Sequence, residues 1–487
     1  MTAAFSWHRP AALLLLCALA APAQDAGLAE RLYYSGERAY AAKSYPEALG
    51  TWQQLLQASP LSPYAPKALL RMARYQAEVA HQPAAALALL DRLKTDYLKS
   101  PVAAEGLLLR GTLLAAQAHR PADLQEAMAE FHRVVDLFPD SPAAAAAHAG
   151  LGRAYRDQGK WGPALQHFIE AYRLHPEGPL APRALLEAGK TLDLMGDLPG
   201  CLRLLQRVRT EFPKSPLAAE AAWRMAVRVK LRILRPAFRL EGPWPEGREK
   251  WLKTPILLAS GPSGDLFLYQ NSLDQAFRLM GGTLSPIGGT VSGARVLVPT
   301  PSDDLWILTR NSLVKGTGSP TPLGALSAIT GARLDRWGTL WVVDSKTPAI
   351  TLFPADGTPR ALPSPTAVAL AALPTGGVVL ASDADRSLHF LDAEGQPQVS
   401  IPYGKGLPAP FKYVLALGSD PVGDVAALVK GGDYGEGVVV YGPDGTVLRQ
   451  TTLKALGLSG RFTSLVLDRS GGVILCDRRH DTLYRLD

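Results

Sequence analysis

Cysteine is nearly missing from this chain. The three present, Cys17, Cys201 and Cys476, cannot build a disulfide framework. Asparagine is scarcer still: Asn271 and Asn311 are each followed by Ser-Leu, so there is no Asn-Xaa-Ser/Thr glycosylation acceptor. No HExxH, paired-cysteine, Gly-Xaa-Ser-Xaa-Gly, phosphate-loop or dinucleotide motif occurs, so no catalytic residue, metal or cofactor is expected. Beyond the first 23 residues no apolar run approaches the ~20 residues that span a bilayer, which excludes a transmembrane helix there. The charge is also weak for 487 residues: a net +7 admits an anionic partner without implying nucleic acid.

What is there begins with a leader. His8 and Arg9, an apolar stretch Ala11–Ala20 and Ala21-Pro22-Ala23 before Gln24 read as a cleaved secretory signal over residues 1–23. An exported, periplasmic or extracellular chain follows. Cys17 is preceded by Leu14-Leu15-Leu16 where lipoprotein signals place a small residue, so lipid attachment is the weaker reading.

Composition then splits the remainder near Pro236. Only 13 of the 45 glycines lie between Asp25 and Arg235, where Ala/Leu/Arg-rich helical periodicity prevails; the other 32 follow it among β-branched alternation. Residues 24–235 also hold the basic excess, with 27 basic and 21 acidic side chains.

Residues 24–235 repeat. Pro63, Pro101, Pro142, Pro179 and Pro216 recur at spacings of 38, 41, 37 and 37, each followed by an alanine-rich helix start. The unit Ala143–Arg156, Gln158-Gly159-Lys160, Trp161–Leu174 shows the pattern as a helical hairpin. Gly152 and Ala164 permit close approach and Phe168 supplies volume. Leu151-Gly152, Tyr155, Ala164, Phe168, Ala171 and Pro176 resemble the tetratricopeptide repeat (TPR) at its spacing. Endings such as Phe138-Pro139-Asp140-Ser141-Pro142 look like the variants of bacterial periplasmic and outer-membrane assembly proteins. About five repeats are expected, with a degenerate copy around Ala86 and a short insertion near Ala118-His119-Arg120. A helical solenoid of this class binds a peptide or protein segment on its concave side. The register places Tyr33, Tyr40, Arg153, Arg156 and Lys190 there, a mixture suited to an acidic or amphipathic segment, unless these are ordinary helix surface.

Residues 236–487 repeat as well. Six times an apolar strand turns, at Gly264, Asp304, Gly338, Gly377, Gly423 and Gly472, into a second one; Asp356-Gly357, Glu394-Gly395 and Asp444-Gly445 add hairpins. Four strands per unit predict a six-bladed β-propeller. The segments Leu334–Asp344 and Leu467–Asp477 resemble NHL-type propellers. The fold class is thus a TPR-type α-solenoid followed by a six-bladed β-propeller. The sixth unit stops short of its fourth strand, and residues near Pro236–Leu240 are expected to supply it. Val227–Ile233, which alternates apolar with basic residues, competes either as that strand or as a continued helix.

Resemblance to six-bladed lactonases would imply calcium held by acidic and amide side chains at the inner strands, yet the segments read as inner strands are nearly free of carboxylates. Asp383, Asp385 and Asp477 read as turn caps, His389 and His480 as surface or turn residues, and Gly431–Gly437 as an enlarged flexible loop. Cys201 and Cys476 read as buried small hydrophobes. The function expected is a non-enzymatic scaffold that binds protein segments, with a role in cell-envelope assembly. The alternative is a propeller hydrolase or lyase recruited by the helical repeats. A third reading has the acid-free run Arg224, Arg228, Lys230, Arg232, Arg235 and Arg239 gripping an anionic envelope surface.

Overall fold

The computed structural model describes residues 21–244, 252–261, 264–280, 283–335, 337–355, 357–420, 422–468 and 470–487. Most of the leader, Cys17 included, and Asp356 of one expected hairpin lie outside them. The described residues form two compact units: the chain up to Ala154 with Gln166–Ala181, and Tyr155–Leu165 with Pro182–Asp487.

The helices are α1 (Ala21–Ala41), α2 (Tyr45–Ala58), α3 (Ala65–Arg74), α4 (Pro83–Asp96), α5 (Ala103–Gln117), α6 (Leu124–Leu137), α7 (Pro142–Asp157), α8 (Trp161–Leu174), α9 (Ala181–Leu194), α10 (Leu198–Glu211) and α11 (Leu217–Arg228). Proline stands in the first turn of α2, α3, α4 and α10, where its missing N–H costs no hydrogen bond and its fixed φ favours the helical start.

In the first unit the repeat is a matter of volume. A Cβ at Gly152 would lie 2.7 Å from the Phe168 ring, and one at Gly150 would lie 2.8 Å from Phe131, so glycine at these positions lets each aromatic side chain bury completely. Burying a side chain of that size contributes roughly 1.5–3 kcal/mol. The expected insertion is the loop Ala118–Arg120 with a 3-10 turn, Pro121–Asp123, pinned where the Asp123 carboxylate accepts the His119 N–H at 3.1 Å. Around the degenerate repeat an ion network ties α4 to α6: Arg110 donates to Asp91 (2.7 Å), Glu126 (2.8 Å) and the buried Glu130 (2.8 Å).

The second unit carries six four-stranded antiparallel sheets. Five are consecutive: β2–β5 (from Pro255 to Ile287), β6–β9 (Val296 to Pro322), β10–β13 (Ile329 to Pro363), β14–β17 (Ala369 to Pro402) and β18–β21 (Tyr413 to Thr452). The sixth has the order β1-β24-β23-β22. Its outer strand β1 (Leu240–Trp244) precedes the first blade in the chain, and the others are β22 (Phe462–Leu467), β23 (Val473–Asp477) and β24 (Thr482–Leu486). The ring therefore closes as expected, but a few residues later than Pro236–Leu240. Proline has no N–H to give a ladder. The Pro236 carbonyl instead accepts from Arg449 Nε at 2.9 Å, and Phe238 is buried under the Arg449 guanidinium, 3.9 Å from its ring centre. Pairing begins where Arg239 and Asp487 exchange two backbone hydrogen bonds of 2.9 Å.

Val227–Ile233 is helical: α11 runs on as a wide turn, Val229–Leu234, and ends at Arg235 with φ 42°. Val227 and Leu231 join the apolar core with Val422, Val440 and Leu465, while Ile233, which an alternating strand would place on the same face, is exposed. The turns follow one device. Asp335, Asp420 and Asp468 each close an inner strand by accepting two backbone N–H groups at 2.8–2.9 Å, from the residues two and four positions on. Gly431–Gly437 corrects the expectation of a flexible loop: it folds back on Pro410, with Tyr434 buried and its N–H on the Pro410 carbonyl at 3.3 Å.

Candidate functional site

Two of the five expected binding residues sit together in the first unit. Tyr33 and Tyr40 lie seven residues apart on α1, and seven residues return a helix to nearly the same face. Tyr33 meets Tyr64 at 5.4 Å between ring centres, Tyr40 meets Tyr75 at 6.5 Å, and between these pairs Arg71 donates to Glu37 at 2.7 Å. Arg71 also lies 5.4 Å from the Tyr40 ring centre, and Tyr34 leaves about half of its surface to solvent. The result is a half-buried aromatic ladder between α1 and the two ends of α3, with a central ion pair. Aromatic faces and a fixed charge pair suit an amphipathic segment. Sequence reasoning named Tyr33 and Tyr40 and missed the facing residues on and at the ends of α3, which only the parallel stacking of α1 and α3 brings opposite them.

Arg153 is exposed on α7. Arg156 and Lys190 belong to the second unit and converge on one acid, Glu187: Lys190 donates to it at 3.0 Å and Arg156 is ion-paired with it. Burial alone would raise the Glu187 pKa, but the two cations hold it at about 2. Beside them is a pocket of about 190 Å³, walled by Trp161, Asp193 and Arg224 from the helices and by Trp337, Pro374 and Val422 from propeller turns. Its cations Arg156, Lys190 and Arg224 pair with Asp157, Glu187 and Glu220, so it offers a polar rim and no net anion hole.

The basic run after Arg224 has a different employment from the one its sequence suggests. Arg228 is 2% exposed and bridges Asp193 (2.8 Å) and the fully buried Asp424 (2.9 Å), while also donating to the Val422 carbonyl. Arg232 takes the other Asp424 oxygen at 3.0 Å, and Lys230 pairs with Asp487. Three of the six cations proposed for an anionic surface are thus engaged by propeller acids. Burial, followed by the charge of Asp424, pushes the pKa of the adjacent Asp420 well above the usual carboxylate range.

The propeller channel, about 540 Å³, is lined mainly by small and apolar residues of the inner strands, with Arg295, Arg333 and Asp420 among them. Arg333 donates to the Gly376 carbonyl and lies 4.9 Å from the Trp341 ring centre, but its Nε has no acceptor, and one oxygen of Asp420 has no donor. Burial lowers the Arg333 pKa to about 10. Of the remaining candidate acids, Asp477 caps its own turn, whereas Asp383 and Asp385 depart from the expected capping and hold residues elsewhere. Asp383 accepts from the Tyr403 hydroxyl (3.0 Å) and the Val414 N–H (3.3 Å), and Asp477 accepts the Arg461 and Arg479 N–H groups at 2.9 and 2.8 Å. His389 pairs with Asp385 at 2.8 Å and His480 with Asp477 at 2.6 Å. Cys201 and Cys476 are buried, and burial raises each thiol to about 12. Among the described residues no helix is long and apolar enough to cross a membrane, and no three His, Cys, Asp or Glu side chains are already gathered as a metal site.

Residues 25–157 match the family YfiO, outer membrane lipoprotein, and residues 183–215 match a tetratricopeptide repeat family. The helical region is a TPR array and the remainder a six-bladed propeller. No curated protein matches the sequence. Among solved structures the chain is similar to a streptogramin B lyase (13% identity, 52% of this chain and 96% of that one, TM-score 0.36) and to PilW, a type IV pilus biogenesis factor (18%, 40% and 82%, 0.33). It is also similar to a putative gluconolactonase (16%, 52% and 91%, 0.38).

Proposed function

We propose that the protein is an exported, non-enzymatic adaptor of the cell envelope that holds protein or peptide segments on its TPR surface and its propeller. One observation carries this reading: the stretch that matches the outer membrane lipoprotein family is also the stretch that presents the tyrosine ladder of Tyr33 and Tyr40. TPR arrays recognise segments by shape and by a few anchoring side chains, and half-buried tyrosines are effective anchors because they have little rotamer entropy to lose. A photo-crosslinker in place of Tyr34 should trap a discrete envelope protein, and Y33A/Y40A should abolish that adduct while the chain stays folded. An undiminished adduct in the double variant would remove the ladder from the proposal.

A second reading, a propeller that acts on a small ligand, is favoured by the unpartnered Arg333 Nε and Asp420 oxygen at the channel. Small carboxylates that raise the melting temperature of the native chain but not of R333M would support it.

A further inference from the structure

Three of the nine histidines converge on neighbouring helices of the first unit, away from the tyrosine ladder: His132 on α6, His148 on α7 and His167 on α8. The Nδ1 atoms of His148 and His167 face each other at 2.9 Å, with ring centres 5.2 Å apart; the His132 ring centre lies 6.1 Å from that of His167. All three side chains are partly buried. With no metal present, the 2.9 Å contact is a hydrogen bond in which one Nδ1–H donates to the lone pair of the other.

The same geometry suits a shared cation. Metal–imidazole bonds are about 2.0–2.1 Å, so two ligands at a right angle stand about 2.9 Å apart and two at the tetrahedral angle about 3.3 Å. The observed separation matches the first and lies a few tenths of an ångström inside the second; in either case the two rings turn so that both Nδ1 lone pairs leave the N···N line and meet at the ion. Imidazole pairs select borderline divalent ions, with Cu²⁺ bound most tightly in the first transition series.

We propose that His148 and His167 form a binding site for a divalent transition-metal ion of the copper, nickel and zinc class, which His132 completes by a side-chain rotation, pinning α6, α7 and α8 together. The proposal is independent of the adaptor reading. Sequence inspection passed over it because the three residues follow no i, i+4 or paired-motif spacing; they meet only through the stacking of three helices.

The test uses the full chain without an added histidine tag, stripped of metal by chelator and titrated with Cu²⁺. One ion per chain is expected, with an electron paramagnetic resonance spectrum showing nitrogen hyperfine structure from three imidazoles. H148Q and H167Q should each weaken binding by roughly tenfold or more, a size that even outer-shell losses reach. H132Q should lose one nitrogen from the spectrum, and H389Q/H480Q should bind as the parent does. Because glutamine keeps a hydrogen-bonding group of similar size, folding in chelator should survive, and circular dichroism checks it. Should a Gln variant misfold, a Zn²⁺-dependent rise in the melting temperature of the parent chain, with the ion protecting the two histidines from diethyl pyrocarbonate, replaces that comparison. Parent-like affinity in the H148Q/H167Q double variant, or a copper spectrum without nitrogen hyperfine structure, overturns the site. An unchanged nitrogen count in H132Q overturns the role of His132.

Discussion

Arg228 shows how much one side chain can be asked to do. Its guanidinium leaves water entirely, and that desolvation is offset only because Asp193, Asp424 and the Val422 carbonyl surround it. Removing one member of such a buried set leaves the others charged and unpaired. R228A should therefore lower stability by about 3–5 kcal/mol, whereas R228M/D424L, which removes a charge from each side and keeps apolar volume, should cost much less. Denaturant midpoints of the two variants check this, and equal losses would mean that the cluster acts through packing alone. Nothing local in the sequence reveals the arrangement: Arg228 and Asp424 are 196 positions apart, and a run of cations without acids reads as a free basic surface until the partner turn is placed beside it.

At the scale of elements, β1 is the most exposed dependence in the propeller. Without it β24 becomes an edge strand with a row of unpaired backbone groups, a template for association. Deleting Leu240–Trp244 should lower the melting temperature of the propeller and promote concentration-dependent aggregation, as followed by calorimetry and light scattering. A deletion chain that melts like the parent and remains monomeric would contradict the closure. Most elements were legible beforehand, because proline punctuation and the change from a period of 3.6 to one of 2 are local signals. The closing strand was legible only as an absence, the missing fourth strand of the last blade. Its position was misjudged by a few residues because Phe238 and the Pro236 carbonyl are claimed by Arg449, a contact across more than two hundred residues. The tyrosine ladder was half legible for the same reason: Tyr33 and Tyr40 share a helix face, while Tyr64, Arg71 and Tyr75 join them only when the helices stack.

For the whole molecule, a net charge of +7 would ordinarily invite binding to anionic membranes. With Arg228, Lys230 and Arg232 committed to propeller acids, little of the basic run is left to contribute. Co-sedimentation with phosphatidylglycerol vesicles at low salt should therefore be weak and change little in R235A/R239A; strong binding that added salt abolishes would restore the surface reading. The ring closure of the second unit has one more consequence, and it concerns time. Strand β1 is synthesised before any blade, yet its partner β24 follows all five other blades in the chain, so the sixth sheet cannot form until those blades have been made. Pairings over such sequence distances form slowly. Completion of the ring then waits on a five-residue strand that was made before any of the blades it closes.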